Sequence, residues 1–106
     1  MTTDLTDLTG RTAVVTGSAG PLGRVLADAL ATAGARVVVV DLDETACSTA
    51  ADELPGSGHV ALGANLLDPQ GLSHVVGTVT DLAACDVLVN NAGIIGTSAV
   101  PGYAGP

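Results

Sequence analysis

The 106-residue sequence has no lysine, no tryptophan and no phenylalanine, and Tyr103 is its only aromatic residue. Without lysine, the basic side rests on Arg11, Arg24 and Arg36 against eleven acids, for a formal net charge of −8. Such a surface repels phosphate backbones and anionic headgroups, so neither nucleic acid nor a membrane is an expected partner. Cysteine is scarce too. Cys47 and Cys85 lie far apart in apolar stretches and read as two buried free thiols. No CxxC or Cys/His spacing offers a zinc site, and no metal is expected. No apolar run approaches the ~20 residues that span a bilayer. The opening MTTDLTDLTG is acidic and lacks the apolar core of a secretory signal, so a reducing cytoplasm is the expected location.

What is present is aliphatic. Hydrophobic residues make up 47% of the chain, nearly all Ala, Val, Leu and Ile, which suits a globular fold of strands covered by closely packed helices. The length fits one domain or part of one.

Along the chain two kinds of segment alternate. Thr12–Thr16 (TAVVT) is a short β-branched run and reads as a first strand. After a small-residue turn, Leu22, Val25, Leu26, Ala29, Leu30 and Ala33 follow helical spacing. Pro21 can open that helix and Gly34 can close it. Arg36–Asp41 (RVVVVD) reads as a strand buried on both faces. Asp43 is placed to cap a second helix, with Ala46, Cys47, Ala50, Ala51 and Leu54 on one side. His59–Ala64 predicts a third strand. Asp68-Pro69 opens a third helix that turns Leu72, Val75, Val76, Val79 and Leu82 inward, and Asp86–Asn90 predicts a fourth strand. The stretch 96–106 (GTSAVPGYAGP) has no period and reads as an irregular tail. The order β-α-β-α-β-α-β predicts an α/β fold with a parallel, doubly wound sheet of Rossmann type, joined by right-handed crossovers.

Three places carry chemistry. Thr16-Gly17-Ser18-Ala19-Gly20-Pro21-Leu22-Gly23 lies between a strand and a helix, the context of a phosphate-binding turn. There glycines admit a tight bend, and a pyrophosphate meets the free N–H groups of the helix start. Asp41 ends the second strand close to the ~20-residue separation at which an acid accepts hydrogen bonds from ribose hydroxyls. Its charge repels a 2′-phosphate, and no basic residue stands at Gly20 or Leu42, so NAD is expected over NADP. Arg24, the nearest cation, reads as an exposed helix residue. Asn90-Asn91-Ala92-Gly93 follows the fourth strand, where amides can lock neighbouring strands and touch a ligand in the crevice.

Together these features resemble the short-chain dehydrogenase/reductase family over residues from about 11 to 96. The family's TGxxxGxG turn aligns with Thr16, Gly17 and Gly23, its strand-two acid with Asp41, and its NNAG motif with Asn90–Gly93. Asn65-Leu66 occupies the place where the family contacts adenine. The resemblance thus implies nicotinamide dinucleotide binding by Gly17, Ser18, Leu22, Gly23, Asp41, Leu42, Asn65, Leu66, Asn91, Ala92 and Gly93. One position departs. Pro21 replaces the middle glycine, with Gly20 one place earlier; proline lacks an N–H and adds bulk, which lowers the expected affinity.

The family reaction is hydride exchange between the nicotinamide and an alcohol or ketone carbon. The resemblance assigns it to a tyrosine with a lysine four residues later, and to an upstream serine. None of these is expected here: Tyr103 is followed only by Ala104, Gly105 and Pro106, and Ser98 stands in the tail. No catalytic residue is therefore assigned, and residues 1–106 read as the partial, catalytically incomplete dinucleotide-binding front of such an oxidoreductase. A non-catalytic nucleotide-binding module and a truncated or frameshifted remnant are the alternatives. His59 and His74 read as satisfied or surface residues, and Asp52-Glu53 as a solvated helix end. With a strand order of 3-2-1-4, one helix alone covers the second sheet face. Val87, Leu88 and Val89 should then form an exposed apolar edge and favour self-association.

Overall fold

The computed structural model describes residues 7–82 and 85–91. The elements run β1 (Thr12–Thr16), α1 (Pro21–Thr32), β2 (Arg36–Asp41), α2 (Glu44–Asp52), β3 (Val60–Gly63), α3 (Pro69–Leu82) and β4 (Val87–Val89). The four strands form one parallel sheet in the order β3-β2-β1-β4, as the alternation of elements requires. The stretch 96–106, with Ser98 and Tyr103, lies outside the described residues, as do Ala92 and Gly93.

β2 explains why the sheet has two cores. Its side chains alternate between faces, and Val37, Val38, Val39 and Val40 are all fully buried. Val37 and Val39 join Ala13 and Val15 of β1 beneath α1 and α2, which contribute Ala27, Ala31, Cys47 and Ala50. Val38 and Val40 join Val14 and Leu62 beneath α3, which contributes Val75 and Val79. Burying each valine contributes about 1.5–3 kcal/mol relative to leaving it in water.

The helix ends follow local chemistry. Pro21 sits in the first turn of α1, where an N–H has no intrahelical acceptor, so its missing donor costs nothing. At the other end Gly34 takes φ +103°, with Gly34 N–H donating to Ala31 O at 3.0 Å and Ala35 N–H to Leu30 O at 3.1 Å. This paired closure satisfies the last carbonyls. The Asp43 carboxylate caps α2 by accepting from Thr45 N–H at 2.9 Å and Ala46 N–H at 3.2 Å.

Several expectations need correction. The buried residues of α1 are Gly23, Ala27 and Ala31, while Leu22 and Val25 are exposed along with Ala29. Small side chains at i, i+4 and i+8 let the helix lie close on the sheet, with Leu30 packed at the border of the core and Leu22 and Val25 turned outward. On α3, Val75 and Val79 are buried, whereas Leu72 and Val76 remain exposed because no second helix covers that face among the described residues. On β4 only Leu88 is exposed; Val87 and Val89 pack against the first core. Cys47 is buried as expected, but Cys85, just ahead of β4, is exposed.

β3 and β4 are also shorter than their apolar runs. Ahead of β3, the His59 ring takes over a backbone role. Its Nδ1 accepts from Val37 N–H at 3.0 Å, and its Nε2–H donates to Pro55 O at 2.7 Å. Ahead of β4, Asp86 clamps the start of β1. Its carboxylate accepts from Thr12 N–H at 2.8 Å and lies 3.5 Å from Arg11 Nη1.

Candidate functional site

In the order β3-β2-β1-β4, the connections leave β1 in one direction and reach β4 from the other. A crevice therefore opens at the carboxyl ends of β1 and β4, the place where such sheets bind ligands. The Gly17–Gly20 turn follows β1, Asp41 ends β2, Asn65 follows β3 and Asn91 follows β4, all at the carboxyl ends of the sheet's strands.

The turn after β1 is held from several sides. Gly17 takes φ +67°, a conformation that a side chain disfavours. Ser18 is fully buried; its hydroxyl donates to Val40 O at 3.2 Å and its N–H to the same oxygen at 3.3 Å. Ser18 thus fastens the turn to β2 and points its side chain into the protein. The Asp41 carboxylate accepts from Ala19 N–H at 3.0 Å through Oδ2 and from Leu42 N–H at 2.8 Å through Oδ1. Each oxygen keeps a second acceptor site.

Gly23 makes the close approach of α1 to the turn possible. A Cβ there would overlap Gly17 O and lie 2.6 Å from Ser18 Cα. By helix geometry the N–H groups of Leu22 and Gly23 precede the first intrahelical donor, Arg24 N–H, which bonds Gly20 O at 2.9 Å. They present two donors and the positive end of the helix to the mouth of the crevice. Pro21, at the first position of the helix, leaves these two donors in place but supplies no third N–H beside them and adds the bulk of its ring.

The other strand ends close the site. Thr16 Oγ1 donates to Val89 O at 3.3 Å and accepts from Asn91 N–H at 3.1 Å, while Asn91 Nδ2 donates to Gly17 O at 3.3 Å. The second amide of NNAG therefore locks β4 to β1 and to the turn. Leu42, beside Asp41, is 69% exposed. Asn65 is exposed, its Oδ1 accepting from Leu67 N–H at 3.0 Å, and Leu66 packs against the second core. Gly71 is required there, since a Cβ would overlap Asn65 O. The structure thus brings Gly17, Ser18, Leu22, Gly23, Asp41, Leu42, Asn65, Leu66 and Asn91 to one edge of the sheet. Ala92 and Gly93 fall outside the described residues.

Arg24 was legible only in part. Far from being free in solvent, its Nε–H donates to Ala19 O at 3.2 Å and its Nη1 pairs with Glu53 Oε2 at 3.0 Å. The link to Glu53 joins two helices and has no sequence signal. No group of three or more His, Cys, Asp or Glu able to hold a metal occurs among the described residues. Nor is any helix there long and apolar enough to cross a membrane.

A parallel sheet with a glycine-rich turn, a strand-two acid and an amide lock at its switch point defines a Rossmann-type dinucleotide-binding fold. The comparisons agree. The family model described as short chain dehydrogenase matches residues 11–103, and the chain belongs to the short-chain dehydrogenase/reductase family. It is 41% identical over 97 residues to the short chain dehydrogenase/reductase dpmpG of Macrophomina phaseolina, covering 88% of this chain and 55% of that protein. Among solved structures, the RhlG/NADP active-site complex of Pseudomonas aeruginosa matches with a TM-score of 0.76 and 37% identity, over 84% of this chain and 37% of that one. A 3-ketoacyl-(acyl-carrier-protein) reductase of Brucella melitensis complexed with NADH matches with a TM-score of 0.77 and 32% identity, over 83% and 36%. The chain therefore spans between about a third and just over half of these relatives' length.

Proposed function

We propose that this chain forms the adenosine- and pyrophosphate-binding front of an oxidoreductase that exchanges hydride between a nicotinamide cofactor and an alcohol or ketone carbon. The observation that carries the reading is the joint placement of the Leu22 and Gly23 N–H groups and the Asp41 carboxylate around one crevice. Leu22 and Gly23 meet the pyrophosphate, and Gly17 and Ser18 shape the turn beneath it. Asp41 accepts from the ribose hydroxyls, with Leu42 beside it. Asn65 and Leu66 border the adenine, and Asn91, with Ala92 and Gly93 after it, lines the path toward the nicotinamide. The bound nicotinamide supplies or accepts the hydride; these residues bind and orient, and none is a proton donor to substrate. The sequence contains no lysine, so the family's tyrosine–lysine pair is not within it.

NAD(H) is the proposed cofactor over NADP(H). Asp41 is an anion at the ribose, and the cations offer no compensation: Arg11 pairs with Asp86, Arg24 pairs with Glu53, and Arg36 Nε–H donates to Gly58 O at 2.8 Å. The relatives include one complex with NADP and one with NADH, so the preference rests on these residues alone. Titration of the chain with NADH and NADPH, followed by nicotinamide fluorescence, tests both parts. Tighter binding of NADH is expected; no binding to a folded sample ends the reading. The proposed setting is the cytoplasm, consistent with thiols left free.

A self-association surface belongs to the same reading. Leu72, Val76 and Leu88 are half or more exposed, and Val14, Val75, Val76, Val79, Cys85 and Leu88 line a groove beside β4, the edge strand among the described residues. Sedimentation is expected to reveal species larger than a monomer, and a single monomeric boundary at high concentration counts against it.

A further inference from the structure

We propose that Glu53 is a specificity-determining residue for the nucleotide site, because it holds Arg24 in an ion pair and so withholds that cation from a 2′-phosphate. The inference rests on the NAD(H) reading above.

Arg24 stands one turn into α1, and its guanidinium is tied to the glycine-rich turn through Nε–H and Ala19 O at 3.2 Å. The same residue, Ala19, donates its N–H to Asp41 Oδ2 at 3.0 Å. One residue, Ala19, therefore links the guanidinium to the carboxylate proposed to meet the ribose. The surroundings are otherwise acidic. Asp43 and Glu44 follow Asp41 within three positions, and the charges of all three act on the same buried thiol, Cys47. Of the other two arginines, Arg11 pairs with Asp86 at the amino end of the sheet and Arg36 lies at the start of β2. Arg24 is thus the cation at this end of the molecule among the described residues.

Glu53 decides what that cation does. It caps the C-terminus of α2, and its Oε2 lies 3.0 Å from Arg24 Nη1. With the pair intact, a 2′-phosphate meets Asp41, Asp43 and Glu44 with no uncompensated positive charge. With Glu53 neutralised, Arg24 stays fastened to Ala19 O while its terminal N–H groups become available. A guanidinium binds phosphate in a bidentate fork, and it does so next to the ribose. Both side chains are substantially exposed, at 42% and 61%, so the pair is weak enough to be redirected without disturbing the fold.

The test titrates NADH and NADPH into the full chain as wild type, Glu53→Gln, Arg24→Gln and the double variant, following nicotinamide fluorescence. Glu53→Gln is expected to tighten NADPH roughly threefold to tenfold while NADH is unchanged. The double variant loses that gain. Arg24→Gln alone weakens both nucleotides equally, because it removes a support of the turn and not a free phosphate ligand. An unchanged NADPH-to-NADH ratio in Glu53→Gln overturns the proposal. A wild-type chain that does not prefer NADH overturns the parent reading and this one with it, so the wild-type titration separates the two failures. Matching thermal melts of wild type and Glu53→Gln confirm that the comparison is made between equally folded samples.

Discussion

The Asp41 carboxylate accepts the backbone N–H of Ala19 at 3.0 Å, across a sequence separation of 22 residues. The acid that ends β2 therefore shapes the glycine-rich turn before any nucleotide arrives. The side chain proposed to meet the ribose is thus also one that sets the loop's geometry.

Removing it has two consequences that can be measured separately. Asp41→Ala leaves Ala19 N–H without its acceptor and should lower stability by about 1–2 kcal/mol in urea denaturation, discounted because the group is partly exposed. The same variant should weaken NADH about tenfold or more in titration, since an ionic acceptor to ribose is lost. Asp41→Asn keeps the shape and one acceptor, so its stability should fall less than that of Asp41→Ala.

Gly23→Ala places a methyl group against Gly17 O and within 2.6 Å of Ser18 Cα, and both obstacles are backbone. Neither can rotate aside. A loss of about 1–3 kcal/mol is expected, with NADH binding reduced because α1 must retreat from the turn. Gly77→Ala is the control: its Cβ meets nothing within 4 Å, and alanine favours a helix, so stability should hold or rise.

At the far end of the sheet, Asp86→Ala releases Thr12 N–H and Arg11 together. The expected cost is about 1–2 kcal/mol, read from the urea midpoint. NADH affinity at fixed native population should not change, because the clamp lies at the amino ends of the strands.

The two thiols should behave differently. Burial pushes the Cys47 thiol above its ordinary range, with the nearby Asp41 charge acting in the same direction. It should resist alkylation in the native state, whereas Cys85, which is exposed, should react at once. The sign for stability follows from the raised value: the unfolded chain ionises Cys47 first, so stability falls as pH rises past the ordinary thiol range. Cys47→Ala should show a smaller loss over the same alkaline interval in denaturation curves.

How much of this could be read from the residues differs from element to element. β1 and β2 announce themselves because β-branched runs bounded by turn residues have few other uses, and both begin and end where the sequence indicates. The parallel order follows from alternation of elements. The face of α1 was misjudged for a physical reason: weighting by side-chain size selects Leu22 and Val25, while close helix–sheet packing selects Gly23, Ala27 and Ala31. Leu72 and Val76 misled in another way, since a periodic apolar face indicates burial only where a partner layer exists. The motifs at Gly17, Gly23, Asp41 and Asn91 are legible in the sequence, and the fold brings these residues to one edge of the sheet. Their supports are not legible there. Thr12 with Asp86 and Arg24 with Glu53 are long-range pairings between residue types that are common on any surface, and only the folded chain brings them together.

The four buried valines of β2 carry a consequence for how the molecule opens. Val37 and Val39 belong to one core, Val38 and Val40 to the other, so this strand is a wall shared by two rooms. Neither room can be emptied without stripping one side of the wall. The backbone amides of Val37–Val40 should therefore be the slowest in the chain to exchange with solvent, released only when the two cores dissolve together.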